Sequence, residues 1–299
     1  MRVTVTGATG LIGTRLVRAL RERGDEVTVL SRAPDTATVT LGVPAERWDP
    51  DSPAPAAALA GRDAVVHLAG ATVARRWSPK AKQAIRASRV EGTRNLVAGL
   101  RAADPRPKVL ASASAVGYYG GRGDEPITED ATPGDDFLAE VCVAWEREAR
   151  AAAELGLRVV LVRTGVVLDR SGGALKQMLP PFRMGIGGPV AGGGQWVPWI
   201  HGDDVVALYL AAIDDPRYEG PVNATAPEPV TNRELAKALG RALHRPAVLP
   251  VPGAALRLRY GEMAEIVTEG QRAVPERALA LGHTFAHPQL DEALRAALG

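Results

Sequence analysis

The N-terminal half of the chain alternates two textures. Short β-branched runs at Val3–Thr6, Val27–Leu30, Ala64–Leu68, Lys108–Ser112 and Arg158–Arg163 read as strands, and longer stretches with helical spacing separate them. Ile12–Arg23 places Leu16, Val17 and Leu20 on one face, and Ala81–Arg101 does the same with Ile85, Val90, Leu96, Val97 and Leu100. Each helix therefore carries an apolar stripe to lay against a sheet. Phe137–Leu155 is a third long helical stretch, with Asp135 or Asp136 available as its cap. Repeated strand–helix–strand units with right-handed crossovers predict an α/β fold with a Rossmann-type doubly wound parallel sheet.

After Asp169 the pattern loosens. Gly and Pro cluster at Pro180-Pro181, Gly185–Pro189 and Gly192–Gly194, which predicts a loop-rich stretch on the substrate side, since connections of that length commonly carry function. Trp196–Ile200 resumes as strand and Val205–Ile213 as helix; Thr231–Leu243 is an amphipathic helix, and Ala254–Arg277 with Leu290–Leu298 adds helical segments. The expected division is a dinucleotide-binding domain over residues 1–175 and a smaller substrate-side and C-terminal α/β region over 176–299, from which the sheet is free to draw a strand.

Composition narrows the class. A chain of 299 residues buries a substantial core without disulfides. Its one cysteine, Cys142, has no internal partner, which fits a reducing compartment and a cytoplasmic location. Met1–Thr6 reads as a first strand and not as a signal peptide. Every apolar run is interrupted well short of the ~20 residues a bilayer needs, so no membrane span is expected. A net charge of +2 is too small for a nucleic-acid surface.

The first predicted strand runs into Gly7-Ala-Thr9-Gly10-Leu11-Ile12-Gly13, which opens the first predicted helix. That context turns a glycine pattern into a diphosphate site. Gly7 allows the tight turn, Gly10 lets backbone amides approach the phosphates, and Gly13 lets the helix pack closely while its N-terminus faces the anion. The plainer alternative is an ordinary tight strand-to-helix turn. At the end of the second strand a carboxylate would hold a ribose 2′-hydroxyl, whereas a cation welcomes a 2′-phosphate. The residues there are Ser31 and Arg32, so charge complementarity selects NADP(H) over NAD(H), against the alternative of a solvated surface arginine.

The chain resembles the atypical, extended branch of the short-chain dehydrogenase/reductases, in particular its epimerase-like family with a small C-terminal domain of unassigned role. The resemblance rests on Thr6–Gly13, Val66–Gly70, Arg89–Leu96, Ser112–Gly120 and Trp199–Asp204, and in the tail on Gly261–Val267, Gln271–Arg277 and Leu281–Phe285. It implies that Leu68, Ala69 and Gly70 line the ribose and diphosphate, that Arg163, Thr164 and Gly165 lie on the nicotinamide side, and that Asp49 meets the adenine.

Hydride-transferring members of the wider superfamily use a Ser, a Tyr and a Lys four residues after the Tyr, the cation lowering the phenol's pKa. None of the five tyrosines here has a lysine four places on. Aligning Trp145-Glu146 with the family helix puts Leu138 and Cys142 at those two positions, and Arg89 stands where the extended branch commonly has an asparagine supporting a proton relay. Ser112, Ser114 and Tyr118 remain as candidate catalytic groups; strand-end capping is the alternative for the serines. His201 belongs to a His-x-x-Asp element expected to order its loop, Cys142 is expected in the core, and Trp196 and Trp199 suit either an aromatic wall or core packing. No metal-ligand spacing is evident among the histidines. Three functions stay open: an NADP(H)-dependent oxidoreductase or epimerase-like enzyme for an unidentified small molecule, an NADP(H)-binding regulatory protein with little turnover, and a nucleotide-sugar epimerase. Oligomeric state is not legible.

Overall fold

The computed structural model describes residues 1–299. Seven strands form one sheet: β1 Arg2–Thr6, β2 Glu26–Ser31, β3 Ala45–Arg47, β4 Ala64–His67, β5 Val109–Ala115, β6 Arg158–Thr164 and β7 Gly220–Ala224. They run in the order β3-β2-β1-β4-β5-β6-β7, and every neighbouring pair is parallel. The order reverses between β1 and β4, so the crevice at their carboxyl ends is the topological switch point where such sheets take ligands.

Helices cover both faces. On one side α1 (Leu11–Glu22) and α6 (Gly202–Asp214) bring Leu16, Val17, Leu20, Val205, Leu208 and Tyr209 against Val3, Val5, Val160 and Val162. On the other, α3 (Pro79–Ala102) and α4 (Phe137–Arg150) bring Leu96, Val97, Leu100 and Ala149 against Val65, Leu110 and Leu161. The alternation of strand side chains between these two clusters is the period-two rule applied to a sheet buried on both faces. Asp136 caps α4, accepting from the Ala139 N–H at 2.9 Å; the expected single helix to Leu155 ends instead in a 3₁₀ turn over Ala151–Leu155.

The loop-rich stretch after Asp169 contains a helix, which corrects the expectation. α5 (Gly173–Arg183) carries Pro180 and Pro181 within it, and Leu175, Leu179 and Phe182 anchor it in a third core cluster with Trp199, Leu235, Leu239 and Leu294. The carbonyls that lose a donor belong to Lys176 and Gln177, both exposed, where solvent is at hand to satisfy them. The other surprises are edge and tail elements. β3 and β7 extend the sheet, β7 from beyond residue 175 as the sequence left room for, and Arg272–Ala273, inside the stretch expected to be helical, pairs with Pro126–Ile127. α7 (Asn232–Leu243) begins with a complete capping box between Thr231 and Glu234; a short helix α8 (Gly253–Tyr260) and the closing α9 (Leu290–Leu298) complete the tail. No helix is long and apolar enough to cross a membrane.

Candidate dinucleotide site

The switch point opens into a cleft of about 810 Å³, and Gly7, Thr9, Gly10, Ser31, Arg32, Leu68, Ala69 and Gly70 all line it. Its floor is made by backbone. Gly7 has φ +66°, and a Cβ there would lie 2.6 Å from the Leu68 carbonyl carbon; the left-handed conformation and the close pass of β4 both demand glycine. A Cβ on Gly13 would fall 2.4 Å from the Gly7 carbonyl oxygen, so the buried Gly13 sets the depth of α1 beneath the loop. Gly10 is the N-cap of α1 and offers no side-chain cap. The first amides of α1 are thereby left for an anion, where the helix dipole also favours negative charge.

Beneath the floor, His67 is fully buried between Thr6 Oγ1 at 2.7 Å and Thr93 Oγ1 at 3.0 Å. Thr6 Oγ1 also accepts the Ala69 N–H at 3.3 Å, so this chain of side chains fixes the lip of β4. Burial alone lowers the His67 pKa to about 4 and keeps the ring neutral.

At the outer end, Ala33, Thr36, Thr40, Trp48 and Pro50 join the lining. Ala33 is the N-cap of α2 (Pro34–Leu41), Thr36 and Thr40 lie within it, and Trp48 and Pro50 lie in the loop after β3. No local pattern announced them, because β3 has only three residues and no alternation. Asp49 lies between Trp48 and Pro50 but is exposed and outside the lining; its Oδ1 accepts the Asp51 N–H at 3.3 Å.

At the inner end, Gly70, Ala71 and Ser88 line the cleft, and the Arg89 guanidinium lies 3.3–3.5 Å from where a Gly70 Cβ would stand. Arg89 donates to the Ala71 and Ile85 carbonyls at 2.9 and 3.3 Å and covers the Trp145 ring at 5.1 Å, and no carboxylate pairs with it. Burial lowers its pKa, with the Cys142 thiol acting the other way.

Leu11 and Ile12, in the first turn of α1, turn their side chains away from the cleft, Leu11 packing at Gly172 and Gly173 and Ile12 against the core, and offer it only their backbone amides. The expectation for Arg163, Thr164 and Gly165 meets a different arrangement. Arg163 is only 2% exposed and directs its guanidinium into the protein, donating to both carboxylate oxygens of Glu146 at 2.8 and 2.9 Å and to the Tyr119 hydroxyl and Glu129 carbonyl at 3.0 Å. Burial pulls its pKa down, but the bonds and charge of Glu146 outweigh that and hold it above the usual arginine value. Thr164 is half-buried and Gly165 has the Pro198 carbonyl 2.1 Å from its would-be Cβ, and neither is among the residues lining the cleft.

The candidate catalytic groups share that network. Ser114 donates to Glu146 Oε1 at 2.7 Å, Ser112 is fully buried with its hydroxyl on the Ala113 carbonyl, and Tyr118 is half-buried with the Arg163 guanidinium 3.5 Å above its ring. The network continues through Tyr119 to Asn223 at 2.6 Å and from Asn223 to Glu129 and the Val274 carbonyl, which ties β5, β6 and β7 to the tail. Leu138 packs on Gly117, and Cys142 is a buried free thiol pushed up to about 12 by burial and then by Glu146.

His201 caps α6, its Nδ1 accepting the Asp203 N–H at 3.2 Å, which is the loop-ordering role read from its motif. It comes together with Asp203 and His287, ligand atoms within 4.8 Å of one another, across a span of sequence too long for any spacing rule to reveal. Arg15 donates to Asp203 at 2.7 Å, so this group is already engaged as an ion-paired helix start.

A doubly wound sheet with a glycine-lined, amide-rich crevice at its switch point defines a Rossmann-type dinucleotide-binding protein. The profile of the NAD dependent epimerase/dehydratase family matches residues 3–224, and that of a domain of unknown function (DUF1731) matches residues 251–297. The chain belongs to the NAD dependent epimerase/dehydratase family. It is 43% identical, over 99% of its length and 86% of the relative's, to the chloroplastic epimerase family protein SDR39U1 homolog of Arabidopsis thaliana. It is 38% identical to the human epimerase family protein SDR39U1 over 99% of each chain. The crystal structure of human SDR39U1 (isoform 2) with NADPH superposes with a TM-score of 0.89 at 38% identity and full coverage of both chains.

Proposed function

We propose that this protein binds NADP(H) in the switch-point cleft and acts as an epimerase-like oxidoreductase on an unidentified small molecule. The observation that carries the reading is the pairing of an uncapped α1 N-terminus at Gly10 with Ser31 and Arg32 at the tip of β2, all lining one cleft. The glycine floor fits a diphosphate and the Arg32 cation fits a 2′-phosphate. A relative crystallised with NADPH supports the choice.

Bound there, the cofactor would supply hydride chemistry; the residues of this chain would bind and orient it. Gly7, Thr9 and Gly10 would receive the diphosphate, Leu68, Ala69 and Gly70 would line the riboses, and Arg89 stands beside the inner half. Ser112, Ser114 and Tyr118 stand at the end of β5, and Tyr118 is the member of the three with the most open surface. The single free cysteine is consistent with a cytoplasmic setting.

A second reading, an NADP(H)-binding protein with little turnover, is favoured by Leu138 and by the Cys142 thiol, which stays protonated at neutral pH. The test is NADPH consumption, followed by absorbance, against carbonyl compounds and nucleotide sugars, with calorimetry of cofactor binding. Binding with turnover of one substrate class supports the first reading, and binding without turnover across the panel supports the second. Absence of binding to any nicotinamide nucleotide sinks both.

A further inference from the structure

Arg32 is not the only cation at the outer end of the cleft. β3 pairs with β2 in a register that sets Ser31 opposite Arg47 and Leu30 opposite Glu46. Paired residues of neighbouring strands project to the same face, and successive residues to opposite faces. Leu30, Ser31 and Arg32 all line the cleft, and by this register Arg47 shares the sheet face of Ser31 while Glu46 shares that of Leu30. Arg47 is exposed and donates one Nη1 bond, at 3.1 Å, to the Arg32 carbonyl. That bond ties the two arginines together and leaves the rest of the Arg47 guanidinium free to donate.

The acids nearby do not neutralise this pair. Asp35, Glu46 and Asp49 are all exposed, and none of them bonds to Arg32 or Arg47. Ser31 Oγ accepts the Ala33 N–H at 3.1 Å, which leaves its O–H to donate outward. Directly beyond, α2 starts at Pro34 from Ala33, an N-cap with no side-chain hydrogen bond, and Ala33, Thr36 and Thr40 line the same end of the cleft. Two guanidinium groups, a hydroxyl and an uncapped helix start thus converge where an adenosine 2′-substituent would lie.

Resting on the NADP(H) reading, we infer that Arg47 is a second determinant of cofactor choice, closing with Arg32 on the 2′-phosphate from the β3 side. The phosphate dianion sits between the two side chains and caps α2, and the unphosphorylated cofactor gains nothing from Arg47.

The experiment is calorimetric titration of wild type, Arg47→Ala, Arg32→Ala and the double variant with NADPH, NADH, 2′,5′-ADP and 5′-ADP. Thermal melts check the fold, which an exposed edge-strand side chain does not control. Arg47→Ala is expected to weaken NADPH and 2′,5′-ADP by about tenfold, the scale of one charge-assisted phosphate contact, with NADH and 5′-ADP unchanged. Preserved NADPH preference in Arg47→Ala, alongside its loss in Arg32→Ala, overturns the assignment and leaves Arg32 as sole determinant. Equal weakening of NADPH and NADH overturns it as well, because Arg47 would then serve the adenosine. A wild-type protein with no NADPH preference strikes the cofactor reading itself, a result separable from both.

Discussion

Removing the Glu146 carboxylate tests whether the network beneath the β5 and β6 ends is a buried ionic unit. Glu146 and Arg163 are 3% and 2% exposed, and their two parallel bonds at 2.8 and 2.9 Å form a bidentate pair. Glu146→Ala leaves the Arg163 guanidinium away from water without its counter-ion, a change that costs about 3–5 kcal/mol. It also strips the acceptor from Ser114, adding about 1 kcal/mol. Arg163→Met/Glu146→Leu removes both buried charges and leaves short of a partner the Ser114 hydroxyl, the Glu129 carbonyl and the exposed Arg150, whose guanidinium lies 3.5 Å from Glu146 and stays hydrated, so it should lose about 1–2 kcal/mol less than Glu146→Ala. Urea unfolding with a common m-value provides the readout. A loss below about 1 kcal/mol in Glu146→Ala, or a double variant weaker than the single one, would refute a desolvated pair whose parts depend on each other.

The cleft and its floor give three further expectations. Gly10→Ala places a methyl 3.2 Å from the Gly7 carbonyl oxygen in ordinary extended backbone; calorimetry should show NADPH affinity reduced about tenfold or more at an unchanged melting temperature, and a large melting shift would assign Gly10 to the fold. His67 has a folded pKa of about 4 against 6.5, so between those values the unfolded chain binds the extra proton and stability falls as pH falls. From neutral to about pH 5, wild type should lose about 2 kcal/mol more than His67→Gln, and parallel pH profiles would contradict a neutral buried ring. Ser114→Ala should lower stability by about 1 kcal/mol and leave NADPH affinity intact; loss of affinity in a titration would place that hydroxyl against the cofactor instead of against Glu146.

How legible each part was depends on the range over which its cause acts. The β1–loop–α1 unit is written in seven consecutive residues from Gly7 to Gly13, because the turn, the amide cradle and the helix start are all local. Strands buried on both faces announce themselves as apolar runs. β3 and β7 do not, since Ala-Glu-Arg and Gly-Pro-Val-Asn-Ala are strands only because a sheet edge offers them a ladder. Pro180-Pro181 reads as a break because proline removes donors, and only the burial of Leu175, Leu179 and Phe182 shows that the helix survives them. Arg163 lay at a strand end where a cofactor was expected, but the residues that claim it, Glu146 on α4 and Glu129 in a loop, are brought there by the tertiary fold. Arg47 was silent for the same reason, its meaning residing in the β2–β3 register.

The same contrast separates the cofactor site from the chemistry beside it. The cleft is built of backbone and small residues, so it persists wherever the glycine spacing and the sheet order persist. Leu138, Cys142 and Glu146 lie four residues apart along α4 and so share one helix face, the face turned to the end of β5. In a hydride-transferring relative with the Tyr and Lys pair, that face presents a phenol and an amine. Here it presents a hydrocarbon, a buried protonated thiol and a carboxylate already held by Arg163 and Ser114. Cys142 and Glu146 on that face are buried and Leu138 is half-buried, and its one charge is spent on joining β5 to β6. On the proposed enzymatic reading, a proton transfer would draw on groups outside that helix face, such as the partly open Tyr118, the substrate itself or water.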